Sequence, residues 1–515
     1  MSILKRVRLV LAILAILAAM LLFVDVSGAA HLWLGWIAKI QLLPAILALN
    51  LGVVVLLVIL TLLFGRVYCS VICPLGIFQD VMARFGKMSR KNRYSYSPER
   101  KVLRYTFFVL FIATLVGGVS SVAGILEPYS SFGRIASNLF APVYAWGNNL
   151  LAYISERAGS YAFYPREVWI KGIGTFVVAV VTFVVLAVLA WRNGRTYCNT
   201  VCPVGTLLGL LSRWSVFAPV IDTEKCISCN ICSRNCKSAC IDIANHKIDY
   251  SRCVVCMDCI DVCPKDAVSF RLRSKSKAAA SAPDGGMKAK AGNAKQTVAK
   301  VAEKAPDAVS RKGFITGAGL LAVSAVRAQE MKVDGGFAEI IAKKVPKRET
   351  RIVPAGAQSL RHLAAHCTGC QLCVEACPNG VLRPSGGLIT LLQPEMGFER
   401  GYCRPECVAC SEVCPTGAIV KITVPEKSSI QVGHAVWIRE NCIVLRDEQD
   451  CDNCARHCPT DAITMVPSDP DNRRSRKIPA VNVERCIGCG ACENLCPSRP
   501  FSAIYVEGHE NHRTI

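Results

Sequence analysis

CISCNICSRNC at 226–236 and CVVCMDCIDVCP at 253–264 share one spacing, C-x2-C-x2-C-x3-C, and that spacing decides how this chain is built. The first run holds Cys226, Cys229, Cys232 and Cys236; the second holds Cys253, Cys256, Cys259 and Cys263. A loop that presents a thiolate every third residue wraps a four-iron cube corner by corner, and the next helical turn carries its last cysteine to a neighbouring cube. The crossing predicts one [4Fe–4S] site from Cys226, Cys229, Cys232 and Cys263, and a second from Cys253, Cys256, Cys259 and Cys236. Lys237 follows Cys236 where proline is usual, and Cys240 lies four residues on, so either cysteine could be the remote ligand; spacing favours Cys236. Zinc sites set cysteine pairs across long spacers, not triplets.

Further along, the pattern recurs four times. Cys367, Cys370, Cys373 and Cys377 come first, then Cys403, Cys407, Cys410 and Cys414. Cys442, Cys451, Cys454 and Cys458 make the third run, and Cys486, Cys489, Cys492 and Cys496 the fourth. Each ends in proline; the first gap is three residues between Cys403 and Cys407 and eight between Cys442 and Cys451, where the other runs have two. Of 29 cysteines, 24 fall into these quartets, which predicts six [4Fe–4S] clusters. The spacing leaves open whether the last four runs pair sequentially or nested.

Upstream the chain changes character. Its 515 residues are 52% hydrophobic, and four uncharged apolar runs precede residue 200, at 9–24, 42–64, 105–126 and 172–191. The last three are long enough to cross roughly 30 Å of hydrocarbon, and the first borrows length from flanks that include Arg8, whose head can snorkel. Residues 66–104 carry nine Lys/Arg against two acids, while 127–171 carry four against three. By the positive-inside rule the N-terminus, the 66–104 loop and the chain after Trp191 face the cytoplasm. Much of the net charge of +22 is therefore topological, and nucleic acid is not an expected partner.

Where the second and fourth runs re-enter the cytoplasm the chain repeats itself, GRVYCSVICPLG at 65–76 and GRTYCNTVCPVG at 194–205, identical at seven of twelve positions. The duplication places Cys69, Cys73, Cys198 and Cys202 at one depth, where they could ligate a cluster or act as redox thiols; alternatively they only shape helix ends that Pro74 and Pro203 define.

Residues 271–309 read as a flexible basic linker. SRKGFITGAGLLAVSAVRAQ at 310–329 joins the pair Arg311–Lys312 to a short apolar stretch and a small-residue ending, the form of a twin-arginine export signal; uncleaved, it would be a fifth span. The expected organisation is α+β and multidomain. A polytopic four-helix membrane domain (1–215) precedes a cytoplasmic dicluster ferredoxin domain (216–270), the linker, the signal-like segment (310–330) and a four-cluster ferredoxin domain (345–515).

The half up to about 270 resembles the NapH family of membrane iron–sulfur proteins, and residues 310–515 resemble the NapG/MauM family. The resemblance implies quinol oxidation coupled to electron delivery to a periplasmic reductase, of the nitrate reductase type, from the bacterial inner membrane. Expected partners are the quinone pool and periplasmic reductase or cytochrome subunits. The inventory agrees: no C-x-x-C-H, no Walker loop and no dinucleotide fingerprint occur, so the chain moves electrons without a terminal-substrate site. His31, Lys39, Gln41 and Glu127 are the candidate quinol residues, ionisable or polar groups beside a span; interfacial anchoring next to Trp33 and Trp36 is the plainer alternative. A maturation factor using the membrane thiols to service a partner metalloenzyme is the competing function.

Overall fold

In the computed structural model two helices set the frame, α1 (Ile3–Val24) and α8 (Ile173–Asn193), the two among the described residues that are long and apolar enough to cross a membrane. Residues 3–25, 28–89, 94–273, 341–387 and 389–515 are described; the signal-like segment 310–330 and nearly all of the linker lie outside them. At 1.5 Å per residue the two helices reach about 33 and 32 Å.

The second and third apolar runs differ from expectation, since neither is one continuous helix. Run 42–64 divides into α2 (Leu42–Leu47) and α3 (Leu51–Phe64), because Leu49 turns left-handed (φ 53°) and the Asn50 side chain caps the new helix by accepting from Val53 N. Run 105–126 divides into α5 (Lys101–Val116) and α6 (Ser120–Leu126) at Gly117–Gly118, where Gly118 takes φ 73°, a conformation glycine adopts freely. Between α3 and α5 lies α4 (Pro74–Ser89), begun by the proline of the first cysteine turn. The expected outer loop is itself helical. Glu127 caps α7 (Pro128–Ile135), every residue of which is buried, and the helix continues through a π-turn (Ala136–Phe140) into Ala141–Arg157.

This assembly is apolar outside and polar within. Leu14, Leu17 and Leu21 of α1, Leu56 and Ile59 of α3, and Val177, Val181 and Val184 of α8 are exposed, while Arg66, Arg104, Arg134 and Arg195 rank among the largest fully buried side chains.

The cysteine-rich regions have little regular structure. In the first, β1 (Phe217–Ile221) pairs antiparallel with β4 (Val268–Leu272), Phe217 opposite Leu272, and β2 (Ile241–Asp242) pairs with β3 (Lys247–Ile248). In the second, β5 (Leu382–Pro384) pairs with β6 (Pro394–Met396), β8 (Ile463–Pro467) with β9 (Lys477–Val481), and β7 (Ile430–Trp437) with the C-terminal β10 (Ile504–Thr514). Every sheet has two strands. The cores of these modules are built in good part from the cysteines themselves.

The described residues before the linker and from Lys344 onward form one compact unit, in which α1 and α8 run from one cysteine module to the other. At one end Lys5 pairs with Asp258 (2.9 Å) and Asp261 (3.1 Å), and Arg195 N donates to Lys237 O (2.9 Å) just beyond the end of α8. At the other end Phe23 packs on Tyr129 and Phe132, beside the Cys370 backbone, and Lys171, two residues before α8, pairs with Glu375 at 2.5 Å.

Candidate metal centres

Folding sorts the thiols into the quartets that cubes require. Cys226, Cys229, Cys232 and Cys263 line one cavity, and Cys236, Cys240, Cys253, Cys256 and Cys259 line another, the crossed arrangement expected from spacing. In the second array Cys403, Cys407 and Cys410 share a cavity with Cys377, and Cys486, Cys489 and Cys492 share one with Cys458. Cys367, Cys370 and Cys373 face Cys414, and Cys442, Cys451 and Cys454 face Cys496. The runs therefore pair sequentially. The gap after Cys442 is taken up by a single helical turn, Ile443–Arg446, and the loop behind it, which return Cys451 to Cys442's side.

Among the described residues no three His, Cys, Asp or Glu side chains converge tightly enough for a mononuclear metal ion; a four-iron cube takes one thiolate at each iron corner, set further apart. Burial pushes the Cys232 thiol up to about 11, and Cys367, Cys410, Cys454 and Cys489 up to about 12. Such thiols stay protonated unless a metal takes the proton's place. Remote members of four quartets already accept a backbone N–H: Cys263 from Ala267 (3.2 Å), Cys414 from Ile419 (3.4 Å), Cys458 from Ala462 (3.3 Å) and Cys496 from Ala503 (3.3 Å). Donors of this kind favour the anionic, reduced state of a bound cluster. The residues fit the group.

Cys236 and Cys240 sit as a pair beside the second cavity. Their sulfurs are 3.5 Å apart. The Cys240 thiol, aided by the Ser238, Ala239 and Cys240 amides, holds Cys236 below the usual thiol range, while hydrogen bonds to Cys236 and Cys253 hold Cys240 above it. Both cysteines line the same cavity, one hydrogen bond apart.

The two C-x-x-x-C-P turns meet in the middle of the helical domain. Cys69, Cys73, Cys198 and Cys202 are all buried in one core, and Cys202 lies within electrostatic range of the other three. Each repeat braces the other: Arg66 donates to Cys198 O (3.1 Å) while Arg195 donates to Cys69 O (2.7 Å). Gly76 and Gly205 make room for this, since a Cβ on either would run into the partner repeat's guanidinium. Amides of the same two glycines donate to Cys73 and Cys202. Sequence reading saw these arginines and glycines only as identities in the repeat; their exchange between repeats became visible with the fold.

The turns also touch both modules. Arg66 donates to Ser251 O (3.1 Å) and Asn199 to Ser238 O (3.2 Å), next to the Cys253 and Cys236 ligand positions. Asp80 gathers Arg8 (3.2 Å), Arg195 (2.9 Å) and Lys237 (3.2 Å) at that boundary. On the opposite side Tyr129 lies within electrostatic range of Glu127, Cys370 and Cys414, and Glu127 in turn of Cys73. The Cys367–Cys373 loop is seated on α7 and the π-turn through Ser130 Oγ–Thr368 Oγ1 (2.8 Å), Arg134–Gly369 O (3.3 Å) and Asn138–Gln371 (2.9 Å).

Of the four candidate quinol residues, folding brings two together. Gln41 Oε1 accepts from Tyr68 OH at 2.8 Å, and Tyr68 lies within electrostatic range of Glu127 and Cys73. His31 instead faces Asp25 at 3.5 Å, and Lys39 is exposed.

Comparisons with known proteins agree with this inventory. A family model described as a 4Fe-4S binding domain matches residues 46–93 and 175–220, which contain the two turns, and another so described matches 246–269. Models described as 4Fe-4S dicluster domains match 366–419 and 449–499. The chain is 33% identical over 185 residues to the methylamine utilization ferredoxin-type protein MauM of Paracoccus denitrificans, covering 33% of this chain and 79% of that one. It is 31% identical over 158 residues to the ferredoxin-type protein NapG of Escherichia coli, covering 28% and 66%, and 28% identical over 181 residues to NapF of the same organism, covering 35% and 100%. No solved structure matches.

Proposed function

Because the chain belongs to the iron–sulfur family of ferredoxin-type electron-transfer proteins that MauM represents, we propose that it is a membrane-bound member that takes electrons from the quinol pool and delivers them, through six [4Fe–4S] clusters, to a reductase outside the cytoplasm. The observation that carries this reading is the placement of two cysteine modules at opposite ends of helices long enough to cross a bilayer, around a domain whose outer surface is apolar and whose interior holds the arginines. Such a surface is at home in lipid and costly in water. The four apolar segments then cross as two continuous helices and two broken ones, the breaks tolerated because they are buried against protein.

The clusters supply one-electron carriers of tunable potential; the chain's residues supply order and insulation. The 24 quartet cysteines are the ligands, with Cys236 rather than Cys240 completing the second site. In space the quartets follow one another: Cys232 lies in range of Cys259, Cys373 of Cys410, Cys403 of Cys489 (Cys403 N donates to Cys489 O at 2.9 Å), and Cys492 of Cys454. The quartet begun by Cys442 thus sits last and is the one placed to meet an acceptor. Quinol would meet Gln41 and Glu127 beside Tyr68, where a carboxylate can take its proton.

Reporter fusions after Phe270 and at Ile515 test the arrangement, the first expected to report cytoplasm and the second the far side. Both reporting cytoplasm would remove delivery outside and leave a membrane-tethered cytoplasmic carrier.

A further inference from the structure

Arg66 is the starting point. Its side chain is fully buried, and its guanidinium reaches Asn199 (2.9 Å), Ser251 O, Cys198 O and, at 3.8 Å, Cys69 Sγ. Among the described residues no Asp or Glu pairs with it, its Nε is buried without a partner, and the charges that bear on it include the Cys69, Cys198 and Cys202 sulfurs and the like-charged Arg104 guanidinium, which shares Ser251 O with it. A buried cation facing neutral thiols and a second guanidinium would be costly, and an anion among those thiols would reduce the cost. Arg195, the same position of the other repeat, shows the contrast, since it has Asp80 at 2.9 Å.

The four sulfurs offer that anion a site of the right chemistry. They come as two pairs from two repeats braced across each other, all buried, and Cys73 and Cys202 each already accept an amide N–H from a glycine three residues on. Four thiolates around a four-iron cube carry net negative charge in either working redox state, which one unpaired guanidinium partly offsets.

We propose that Cys69, Cys73, Cys198 and Cys202 ligate a seventh [4Fe–4S] cluster, which joins the two cysteine arrays into one continuous path across the helical domain. The proposal rests on the six-cluster reading above and adds a centre to it. Location supports it, since the core that holds the four thiols also takes in Val254 and Cys256 of the cytoplasmic module and Cys370 and Leu372 of the other. One electron at a time enters from the quartet containing Cys256 and one leaves toward the quartet containing Cys370; where quinol at Gln41 and Glu127 is the donor, its two O–H bonds break, both protons leave by way of the Glu127 carboxylate, and its two electrons pass through the centre one after the other, leaving quinone. Tyr129, between Glu127 and Cys370, lies on the outward leg.

Iron and acid-labile sulfide counting on the full-length protein, purified anaerobically in detergent, tests this. The unmodified chain is expected to hold about 28 iron atoms, seven cubes of four. The variant Cys69→Ser, Cys73→Ser, Cys198→Ser, Cys202→Ser is expected to hold about 24, with the remaining electron paramagnetic resonance signals unchanged. Equal iron in the two proteins, with superimposable spectra, would overturn the seventh centre and leave the six-cluster reading standing. A count below about 24 in the unmodified chain would sink that reading and this inference together. Should the quadruple variant fail to accumulate, Arg66→Gln keeps every thiol: one signal should then titrate at lower potential while the others stay, and Arg66→Lys should restore it. No moved signal in Arg66→Gln would equally overturn the proposal.

Discussion

At the scale of single residues, sulfur chemistry here is set by what donates to it. Cys240 is 1% exposed and its sulfur lies 3.5 Å from Cys236. Cys240→Ala should therefore leave the iron content unchanged and lower the potential of the second cytoplasmic cluster, because a donor to its ligand sulfur is lost; a fall of about four iron atoms would instead make Cys240 a ligand. Glu127 both caps α7, through Tyr129 N (3.0 Å) and Ser130 N, and lies near Tyr68 and Cys73. Glu127→Gln keeps a carbonyl for the cap but loses the proton acceptor. Quinol-dependent cluster reduction should slow by about 10²-fold or more, with dithionite reduction unaffected. Unchanged quinol kinetics would leave Glu127 a cap only.

At the scale of elements, the packing of α6 against the Cys367 loop depends on a missing side chain. Gly124 lies against the Thr368 carbonyl, so Gly124→Ala must push the loop away, at a cost of about 1–3 kcal/mol. Faster amide exchange across 366–373, with 226–263 unchanged, is the expected result. The hairpin of β7 and β10 carries a different sensitivity. Burial depresses His512 from 6.5 to about 4, with neighbouring His509 adding to the effect. The unfolded chain then binds the proton more readily between those values, so stability is full above about 6.5 and falls as pH drops toward 4, by on the order of 2–3 kcal/mol. Exchange in β7 and β10 should rise between pH 7 and 5, and His512→Gln should flatten that rise.

At the scale of the whole molecule, the helical domain and the cysteine modules are held together by different means. Helices from Ile3 to Ser212 pack through apolar faces and buried arginines, whereas the modules have two-stranded sheets and cores made largely of cysteine. Modules of that kind depend on the metal for their fold. Oxidative removal of the clusters should therefore abolish exchange protection in 217–272 and 344–515 while most of the far-ultraviolet helical signal persists; joint collapse of both would mean that the clusters organise the helices too. The same division explains what could be read in advance. Cysteine spacing by itself determined the ferredoxin modules, the crossed grouping of the first array's cysteines around two cavities and the repeated thiol turns, because a cube imposes its geometry on a short loop and the loop is contiguous in sequence. Hydropathy likewise marked the four apolar segments, but it averages over a window and passed over the breaks at Leu49 and Gly118, which a single left-handed residue decides. Only the tertiary structure decided that the second array pairs sequentially, that Cys236 and Cys240 lie side by side, that Gln41 and Glu127 both neighbour Tyr68 while His31 faces Asp25 and Lys39 is exposed, and that Arg66 and Arg195 exchange places between repeats. Each of these depends on which groups share a buried space after distant segments have packed, and neither spacing nor periodicity carries that information.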